Sequence, residues 1–188
     1  MKNIIGIDYG SKLAGTTAIC YEKKGMLCLT QSHKKKDADI FVKRFCEEHQ
    51  PDHIYIDAPL SLPGIYTGIK DCKNYFYRKA DVETQAMSPM FLGGLTARAM
   101  KLSSELPAMC FEAYPKMLVK TLNITTHYKE DLRLFSHCLL KKFPGVVFQD
   151  SVENWHQADA LLAYMIGLRH QRGEALVYGD PTEGQILG

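Results

Sequence analysis

Two short, β-rich apolar runs that each lead into an aspartate constrain this chain more than any other feature. The first is Ile4 to Ile7, followed by Asp8, and the second is the predicted strand 53–59, which carries Asp57. Between them, apolar residues spaced as on one helix face predict an amphipathic helix over 38–46. This order of elements predicts a parallel strand pair joined by a right-handed crossover. Asp8 and Asp57 should then lie side by side at the carboxyl ends of adjacent strands, where open α/β sheets bind ligands.

The rest of the chain predicts a mixed sheet with helices on both faces. The runs 15–21 and 26–30 repeat the strand pattern around a Lys-Lys-Gly turn, and with the first strand they predict a three-stranded antiparallel meander. The segment 60–89 has weak periodicity and is too long for an ordinary connection, which indicates a functional loop with short helical pieces. The remaining predicted elements are a helix over 91–106, a strand over 109–113, helices over 130–142 and 151–172, and a hairpin turning at 179–184. The predicted fold class is α/β, with the meander followed by parallel strands.

Composition and charge set broad limits. The 188 residues, of which 46% are hydrophobic, suffice for one core, and we expect a single domain over 1–188. A formal net charge of +2 does not identify a nucleic-acid binder, so any such binding must rest on local patches. Six cysteines without a Cys-x-x-Cys pair suit a reducing compartment. The first apolar run is too short for a signal peptide and no run reaches transmembrane length, so we expect a cytoplasmic protein without a membrane partner.

Asp159 is a third acidic residue in an unusual position. On the predicted helix 151–172 it shares a row with Trp155, Leu162 and Ile166, and this row should pack against the sheet. Burial of an unpartnered carboxylate is strongly unfavourable, so such a residue is usually paired, protonated or bound to a metal. The neighbouring alanines are small enough to let this helix approach the strand ends closely.

A metal site made of these acidic residues follows from the predicted topology. We expect Asp8, Asp57 and Asp159 to converge, with Glu112 at the end of the predicted strand 109–113 as a fourth ligand. A site made only of carboxylate oxygens suits Mg²⁺ or Mn²⁺. Two such ions form a clamp that activates a water and stabilises the leaving oxygen during displacement at phosphorus. The sequence therefore predicts metal-dependent hydrolysis of phosphodiester bonds.

Each acidic residue also has a simpler interpretation. Asp8 could merely open a turn, and Asp57 could be an ordinary strand-end residue. Asp159 could form a salt bridge or lie in a solvent-facing slot, and Glu112 could simply face water. The metal site is favoured by the combination of the four and not by any one of them.

Several sequence blocks resemble a known family. The block Ile5–Ser11, the block Ile56–Leu60 and the late helix with Trp155 and Asp159 are similar to those of RNase H-like proteins. The specific resemblance, which spans nearly the whole chain, is to a widespread family of uncharacterised proteins predicted to be nucleases of RNase H fold. Four further blocks carry it: Arg78–Asp81, Ser88–Met90, Glu112–Pro115 and Gly179–Gly184. The opening strand also resembles that of Holliday-junction resolvase-like proteins.

The resemblance implies an RNase H-like fold and a metal-dependent nuclease whose partner is nucleic acid, either DNA or RNA. It assigns the metal-binding and catalytic roles to Asp8, Asp57, Glu112 and Asp159. Asp-x-Gly after a strand also occurs in actin-like ATPases, so a second hypothesis is an actin-like or sugar-kinase-like phosphate-binding protein. Such a protein would need a second domain to enclose ATP, which only a homodimer could supply here. A third hypothesis is a binding protein that keeps the RNase H fold without catalysis.

Basic residues outside the acidic group are candidates for substrate binding. Arg78 in the long loop could hold a phosphate in a bidentate grip that Asp81 orients. Lys12 could add a phosphate contact together with the basic run 33–36. All of these residues could instead be ordinary solvated surface groups.

Two further features lie near the expected site. His156, one helical turn before Asp159, could pass a proton to a leaving group, although a histidine near a helix start is often simply exposed. The aromatic residues at 75–77 could stack on unpaired bases or could anchor the loop to the core.

Overall fold

The structure, a computed structural model, describes residues 2–188. The strands are β1 (Ile4–Asp8), β2 (Ala18–Lys23), β3 (Met26–Gln31), β4 (His53–Asp57), β5 (Met109–Ala113), β6 (Val177–Asp180) and β7 (Gly184–Leu187). The helices are α1 (Ala38–His49), α2 (Lys79–Thr84), α3 (Pro89–Leu92), α4 (Gly94–Glu105), α5 (Pro115–Thr121), α6 (Leu132–Lys142) and α7 (Trp155–Gln171). Short 3₁₀ turns lie at Gly64–Thr67 and Thr125–His127. Within residues 2–188, none of the helices is both long and apolar enough to cross a membrane.

The strands form a seven-stranded mixed sheet in the order β3-β2-β1-β4-β5-β7-β6. β1, β2 and β3 make the predicted antiparallel meander. β4 pairs in parallel with β1, and β5 pairs in parallel with β4. The α/β class, the meander and the parallel pairing of the two aspartate-bearing strands are therefore confirmed.

The C-terminal hairpin belongs to the main sheet, which the sequence did not predict. β6 and β7 pair antiparallel as expected, and β7 also pairs in parallel with β5. In the hairpin turn, Glu183 accepts hydrogen bonds from the backbone N–H of Gly64 at 2.8 Å and of Lys79 at 2.7 Å. The hairpin therefore completes the sheet and also holds the long segment 60–89 in place.

Three predicted helices differ from their sequence pattern at their starts. The predicted helix 91–106 is interrupted at Gly93, whose φ of 47° separates α3 from α4. α6 begins later than expected because the side chain of Asp131 caps it. α7 also begins later, because Asn154 accepts hydrogen bonds from two N–H groups of its first turn. In each case the residue at the N-cap position sets the boundary.

Helices pack on both faces of the sheet, as predicted. The α1 face, covered by α1 and α4, contains the side chains of Ile5, Ile7 and Ile56. The α7 face, covered by α5, α6 and α7, contains those of Ile4 and Tyr55. Successive strand residues alternate between these two cores because the side-chain period of a strand is two.

α7 lies unusually close to β1. The helix is buried on all sides from 157 to 167. A Cβ atom on Gly6 would lie 2.2 Å from the backbone nitrogen of Tyr164 and 2.4 Å from the carbonyl oxygen of Ala160. Because only glycine leaves room for this approach, the β1 sequence itself determines how near α7 comes to the sheet. The close packing carries Asp159 to the end of β1.

Candidate metal centre

Three carboxylates from three separate elements meet at one end of the sheet. Asp8 ends β1, Asp57 ends β4, and Asp159 lies near the start of α7. One oxygen of each carboxylate lies within 4.8 Å of the corresponding oxygens of the other two. The structure therefore brings together three of the four acidic residues that the sequence predicted.

Strand alternation explains why Asp8 and Asp57 both face α7. Asp8 is paired across the meander with Ala18, whose side chain lies in the core of the α7 face. Asp57 follows Tyr55 by two positions and shares its face of the sheet. The parallel register places Asp8 directly beside Asp57. Asp159 completes the group from the helix that covers this face.

The negative charge of Asp57 is the least compensated of the three. No hydrogen bond within residues 2–188 stabilises its ionised form. Burial raises the pKa of Asp57 well above its ordinary value, and repulsion from Asp8 and Asp159 raises it further. A carboxylate in such surroundings favours either a proton or a neighbouring cation.

Asp8 forms a pair with His156. The Nδ1 atom of the imidazole lies 2.7 Å from Oδ2 of Asp8. Burial raises the pKa of Asp8 and the charge of Asp159 adds to this rise, whereas the hydrogen bond from His156 opposes it. The same hydrogen bond raises the pKa of His156. The imidazole is 43% exposed, so the predicted proton carrier lies at the mouth of the site with one ring nitrogen on Asp8.

Asp159 contacts two groups that follow the second 3₁₀ turn. The hydroxyl of Tyr128 donates to Oδ1 at 2.7 Å, and the ammonium of Lys129 forms an ion pair with Oδ2. Burial and the neighbouring Asp159 raise the pKa of Tyr128, so its phenol remains a donor. The salt bridge that was the simpler interpretation of Asp159 is thus present. It lies at the cluster of three carboxylates and not away from it.

Sequence reasoning missed Tyr128 and Lys129. They follow a short turn without helical or strand periodicity, and Lys129 adopts a left-handed backbone with φ of 66°. The ammonium lies 5.2 Å from the ring centre of Tyr128 and 5.4 Å from that of Trp155. Only the tertiary position of this turn against α7 reveals that a lysine enters the acidic site.

Glu112 is not brought into the group of three carboxylates. The parallel register pairs Glu112 with Ile56, whose side chain lies in the core of the α1 face. Its strand neighbours Phe111 and Ala113 instead face α7. The difference from expectation has a simple cause, because a shift of one residue along a strand moves a side chain to the opposite face of the sheet.

Arg78 occupies both oxygens of the Glu112 carboxylate. Nη1 and Nη2 each donate to one of these oxygens at 2.7 Å. The remaining donors of the guanidinium go to Asp81 and to the hydroxyl of Ser61. Burial lowers the pKa of Arg78, but these hydrogen bonds outweigh it and raise the pKa above its ordinary value. Arg78 is therefore a charged, fully bonded group.

Arg78 and Asp81, which the sequence suggested as substrate-binding residues of the long loop, lie in the protein interior. The side chains of both are 0% exposed. A guanidinium has five N–H donors, and all five are used within this network. Arg78 therefore has no free donor for a phosphate, and the network instead links the start of α2 to β5.

Lys12 lies beside the start of α1. Its ammonium is 3.1 Å from Oδ2 of Asp37, the residue that caps this helix, and its side chain is 53% exposed. The residues 33–36 are all exposed on the connection that leads into α1. Phosphate binding by these basic residues stays a prediction.

The aromatic residues at 75–77 extend an exposed cluster. Tyr75 and Phe76 are exposed, and the ring of Phe76 stacks on that of Phe91 at 5.5 Å between centres. A cavity of about 120 Å³ lies beside Asp57 and includes Leu92, the neighbour of Phe91, in its lining. Base stacking on these rings stays a prediction.

The donor set of the three carboxylates fits a hard cation. Carboxylate oxygens are the preferred ligands of such ions. The raised pKa values of Asp8 and Asp57 have burial as their first cause and mutual carboxylate repulsion among the others, so a bound cation would relieve both. The group of Asp8, Asp57 and Asp159 can therefore hold a metal ion.

Comparison with known proteins adds no family assignment. No protein-family model matches the chain. No curated protein matches it with significant similarity. The inferences that follow therefore rest on the geometry of the chain itself.

Proposed function

We propose that this protein is a metal-dependent nuclease of RNase H-like fold that hydrolyses phosphodiester bonds in DNA or RNA. The observation that carries the proposal is the convergence of Asp8, Asp57 and Asp159, with one oxygen of each within 4.8 Å of the others. These residues come from two central parallel strands and from a helix packed over them. Asp8 and Asp159 have hydrogen-bonding partners, but the mutual repulsion of the three acids still opposes folding unless a cation offsets it.

The order of the strands supports the RNase H-like part of the proposal. An antiparallel meander is followed by parallel strands, and the acidic residues lie at the carboxyl ends of the first two parallel ones. Open α/β sheets bind their ligands at this edge. The same arrangement was predicted from the sequence pattern, and the opening block and the late helix resemble those of RNase H-like proteins.

Asp8, Asp57 and Asp159 would hold the metal, and Mg²⁺ or Mn²⁺ fits their oxygen-only donor set. When bound, such an ion would polarise a water molecule and offset the charge of the phosphate. His156 orients the Asp8 carboxylate through one ring nitrogen and leaves the other ring nitrogen to exchange a proton at the leaving oxygen. Its exposure allows that proton to be replaced from solvent.

The test is cleavage of a panel of labelled substrates in Mg²⁺ and in Mn²⁺. The panel contains single-stranded, duplex, hybrid and four-way-junction nucleic acids, incubated with wild type, Asp8→Asn and Asp159→Asn. A matched control is Asp150→Asn, which removes the charge of an exposed aspartate outside the site. We expect cleavage by wild type and by the control and none by the two site variants. Cleavage that survives both site substitutions would reject the proposal.

A further inference from the structure

The exposed aromatic side chains of the protein lie in one region. Within residues 2–188, four phenylalanine, tyrosine or tryptophan side chains are exposed, and all four fall between 66 and 91. They are Tyr66, Tyr75, Phe76 and Phe91, and together they are called the aromatic surface here. The rings of Phe76 and Phe91 are 52% and 62% exposed, so they do not anchor the long segment to the core. Large apolar side chains that are exposed together usually mark a binding surface.

The rings of the aromatic surface are held in place by their neighbours. Phe91 stacks on Phe76 and meets the ring of Tyr77 edge-on, with 5.5 and 5.9 Å between ring centres. The side chain of Asn74 accepts hydrogen bonds from the backbone N–H of Phe76 at 2.9 Å and of Tyr77 at 3.0 Å. The hydroxyl of the buried Ser88 donates to the carbonyl oxygen of Phe76, which ties the two ring-bearing segments together. A surface that is ordered in advance loses little entropy when it binds a ligand.

The aromatic surface is continuous with the metal centre. The cavity of about 120 Å³ has Asp57 in its lining together with Met87 and Leu92. Leu92 follows Phe91 in the chain, and the side chain of Met87 is itself exposed. The cavity also lies at the carboxyl ends of β4 and β5, where open α/β sheets bind their ligands. A molecule that covers the rings therefore reaches the edge of the proposed metal site.

Unpaired nucleic-acid bases suit this surface better than a duplex does. The faces of a base inside a duplex are covered by its neighbours, so an exposed protein ring can stack only on an unpaired base. Lys70 and Lys73 are exposed on the same segment, and rings combined with cations are typical of surfaces that bind single strands. Duplex binding depends instead on many phosphate contacts. The segment 60–92 has four basic and three acidic residues, so it offers no strongly basic surface for a duplex.

We propose that the aromatic surface stacks on unpaired bases and that the substrate of the site is single-stranded DNA or RNA, or the unpaired part of a branched molecule. The inference rests on the proposed nuclease function and names the substrate class of the same site. Phe91 holds the base closest to the metal, because its neighbour Leu92 lines the cavity with Asp57. Stacking positions the strand without reading its sequence, since every base has an aromatic face.

The first test measures binding without cleavage. A short fluorescent oligothymidylate and its duplex with oligoadenylate are titrated with protein in Ca²⁺, which takes the same oxygen ligands, and electrophoresis verifies that the probe stays intact. We expect wild type to bind the single strand more tightly than the duplex. Phe91→Ala should raise the Kd for the single strand by about 5-fold to 100-fold, the effect of losing one stacked base. Phe91→Tyr keeps the ring and should bind as wild type does.

The matched control for the binding test is Val147→Ala. Val147 is 57% exposed, close to the exposure of Phe91, but it lies beside β3 at the far edge of the sheet. This variant should keep the Kd of wild type, and circular dichroism verifies that all variants are folded. The inference is overturned if wild type does not bind the single strand, if it prefers the duplex, or if Phe91→Ala binds as tightly as wild type. The first of these results would leave the aromatic surface to a protein partner.

The second test detects stacking itself. One thymine of the probe is replaced by 2-aminopurine, a base analogue whose fluorescence falls when it stacks on another ring. At saturating protein, wild type and Phe91→Tyr should quench this fluorescence more than Phe91→Leu does. Leucine keeps an apolar side chain but has no ring, so equal quenching by Phe91→Leu and wild type would show that no base stacks on Phe91.

The two levels of proposal fail in different ways. Cleavage of duplex by wild type that Phe91→Ala leaves unchanged would overturn the substrate class and leave the nuclease function standing. Tight single-strand binding that depends on Phe91, in a protein that cleaves none of the substrates, would overturn the nuclease function and support a surface for unpaired bases.

Discussion

Asp57 lies directly beside Asp8 in the parallel register of β4 and β1, and the two carboxylates face the same helix. Adjacent positions in parallel strands usually carry apolar residues, because such strands are buried on both faces. Two acidic residues there weaken the fold unless another group offsets their charge. The site therefore has a measurable effect on stability as well as on any reaction.

Neutralising Asp57 should stabilise the metal-free protein. Asp57→Asn keeps the shape of the side chain and removes a charge that burial, Asp8 and Asp159 all disfavour. We expect the melting temperature in excess chelator at pH 7.5 to rise, by about 2–4 °C for each kcal/mol gained in a protein of this size. Asp150→Asn should leave it unchanged. A lower melting temperature for Asp57→Asn would contradict the assignment of Asp57 as an uncompensated charge.

Added metal should reverse the order of the melting temperatures of wild type and Asp57→Asn. Mn²⁺ at about 100 times its dissociation constant stabilises a folded protein by about 2.7 kcal/mol. Wild type should therefore gain melting temperature on addition of Mn²⁺, whereas Asp57→Asn should gain little. The same thermal melts, repeated over a series of Mn²⁺ concentrations, measure this difference, and equal gains in both proteins would argue against metal binding at Asp57.

Arg78 should contribute to stability and not to substrate affinity. Arg78→Met leaves Asp81 and Glu112 without their shared buried partner, and breaking a buried ion pair in this way costs about 3–5 kcal/mol. Urea denaturation measures the loss. The control is Lys79→Met at the next position, whose side chain is 60% exposed and which should change the free energy of unfolding by less than about 0.5 kcal/mol. A small effect of Arg78→Met would mean that the network does not support the fold.

Gly6 should be intolerant of any side chain. The Cβ atom of Gly6→Ala would approach the α7 backbone at Tyr164 and Ala160 to 2.2 and 2.4 Å. Overpacking of this kind costs about 1–3 kcal/mol or more, and it should also displace Asp159 and weaken Mn²⁺ binding. Gly145→Ala is the matched control, because no atom lies within 4 Å of the position that its methyl group would occupy. If calorimetry shows that Mn²⁺ binds as tightly to Gly6→Ala as to wild type, then the geometry of the site does not depend on the position of α7.

Asp39 should give the protein an acid-dependent stability. Its carboxylate accepts hydrogen bonds from Tyr9 at 2.5 Å and from Arg98 at 2.7 Å. Burial raises the pKa of Asp39, but the hydrogen bonds of Arg98 and Tyr9 outweigh it and lower the pKa below its ordinary value. A lowered folded-state pKa stabilises the protein above the unfolded pKa of about 3.9, and this stability is lost as the pH falls through the folded-state pKa.

Asp39→Asn should therefore be less stable than wild type at pH 7, by about 1.5–3 kcal/mol for hydrogen bonds to a charged group. The difference should shrink as the pH is lowered from about 4 towards 2. Urea denaturation at a series of pH values tests this, and a difference that stays constant over the whole range would rule out the ionised Asp39 as its source.

The parts of the fold that depend on local pattern could be predicted from the sequence. The period of two in the first strands gave the meander, and the helical period between Asp8 and Asp57 gave their parallel pairing. Asp159 could be placed because a carboxylate in an apolar helix row has few stable surroundings. Each of these inferences used residues within one element or in neighbouring elements.

The parts that depend on register between distant segments could not be predicted. Glu112 pairs with Ile56, so a shift of β5 by one residue along β4 would have placed it beside Asp57. The offset between these two strands depends on how α4 and its flanking turns pack. Arg78 is fully buried although arginine is rarely so, and its partner Glu112 is 34 positions away in the chain. Lys129 enters the site through a left-handed backbone conformation that no periodic pattern encodes.

The pairing of β7 with β5 has a consequence for biosynthesis. Chains emerge from the ribosome from the N-terminus at about 5–20 residues per second, and early segments begin to fold before late ones exist. Until residues 184–187 emerge, β5 has one side without a hydrogen-bonding neighbour. An uncovered strand of this kind is a template for pairing with other chains. The nascent protein is therefore expected to be vulnerable to aggregation at β5 until β7 pairs with it.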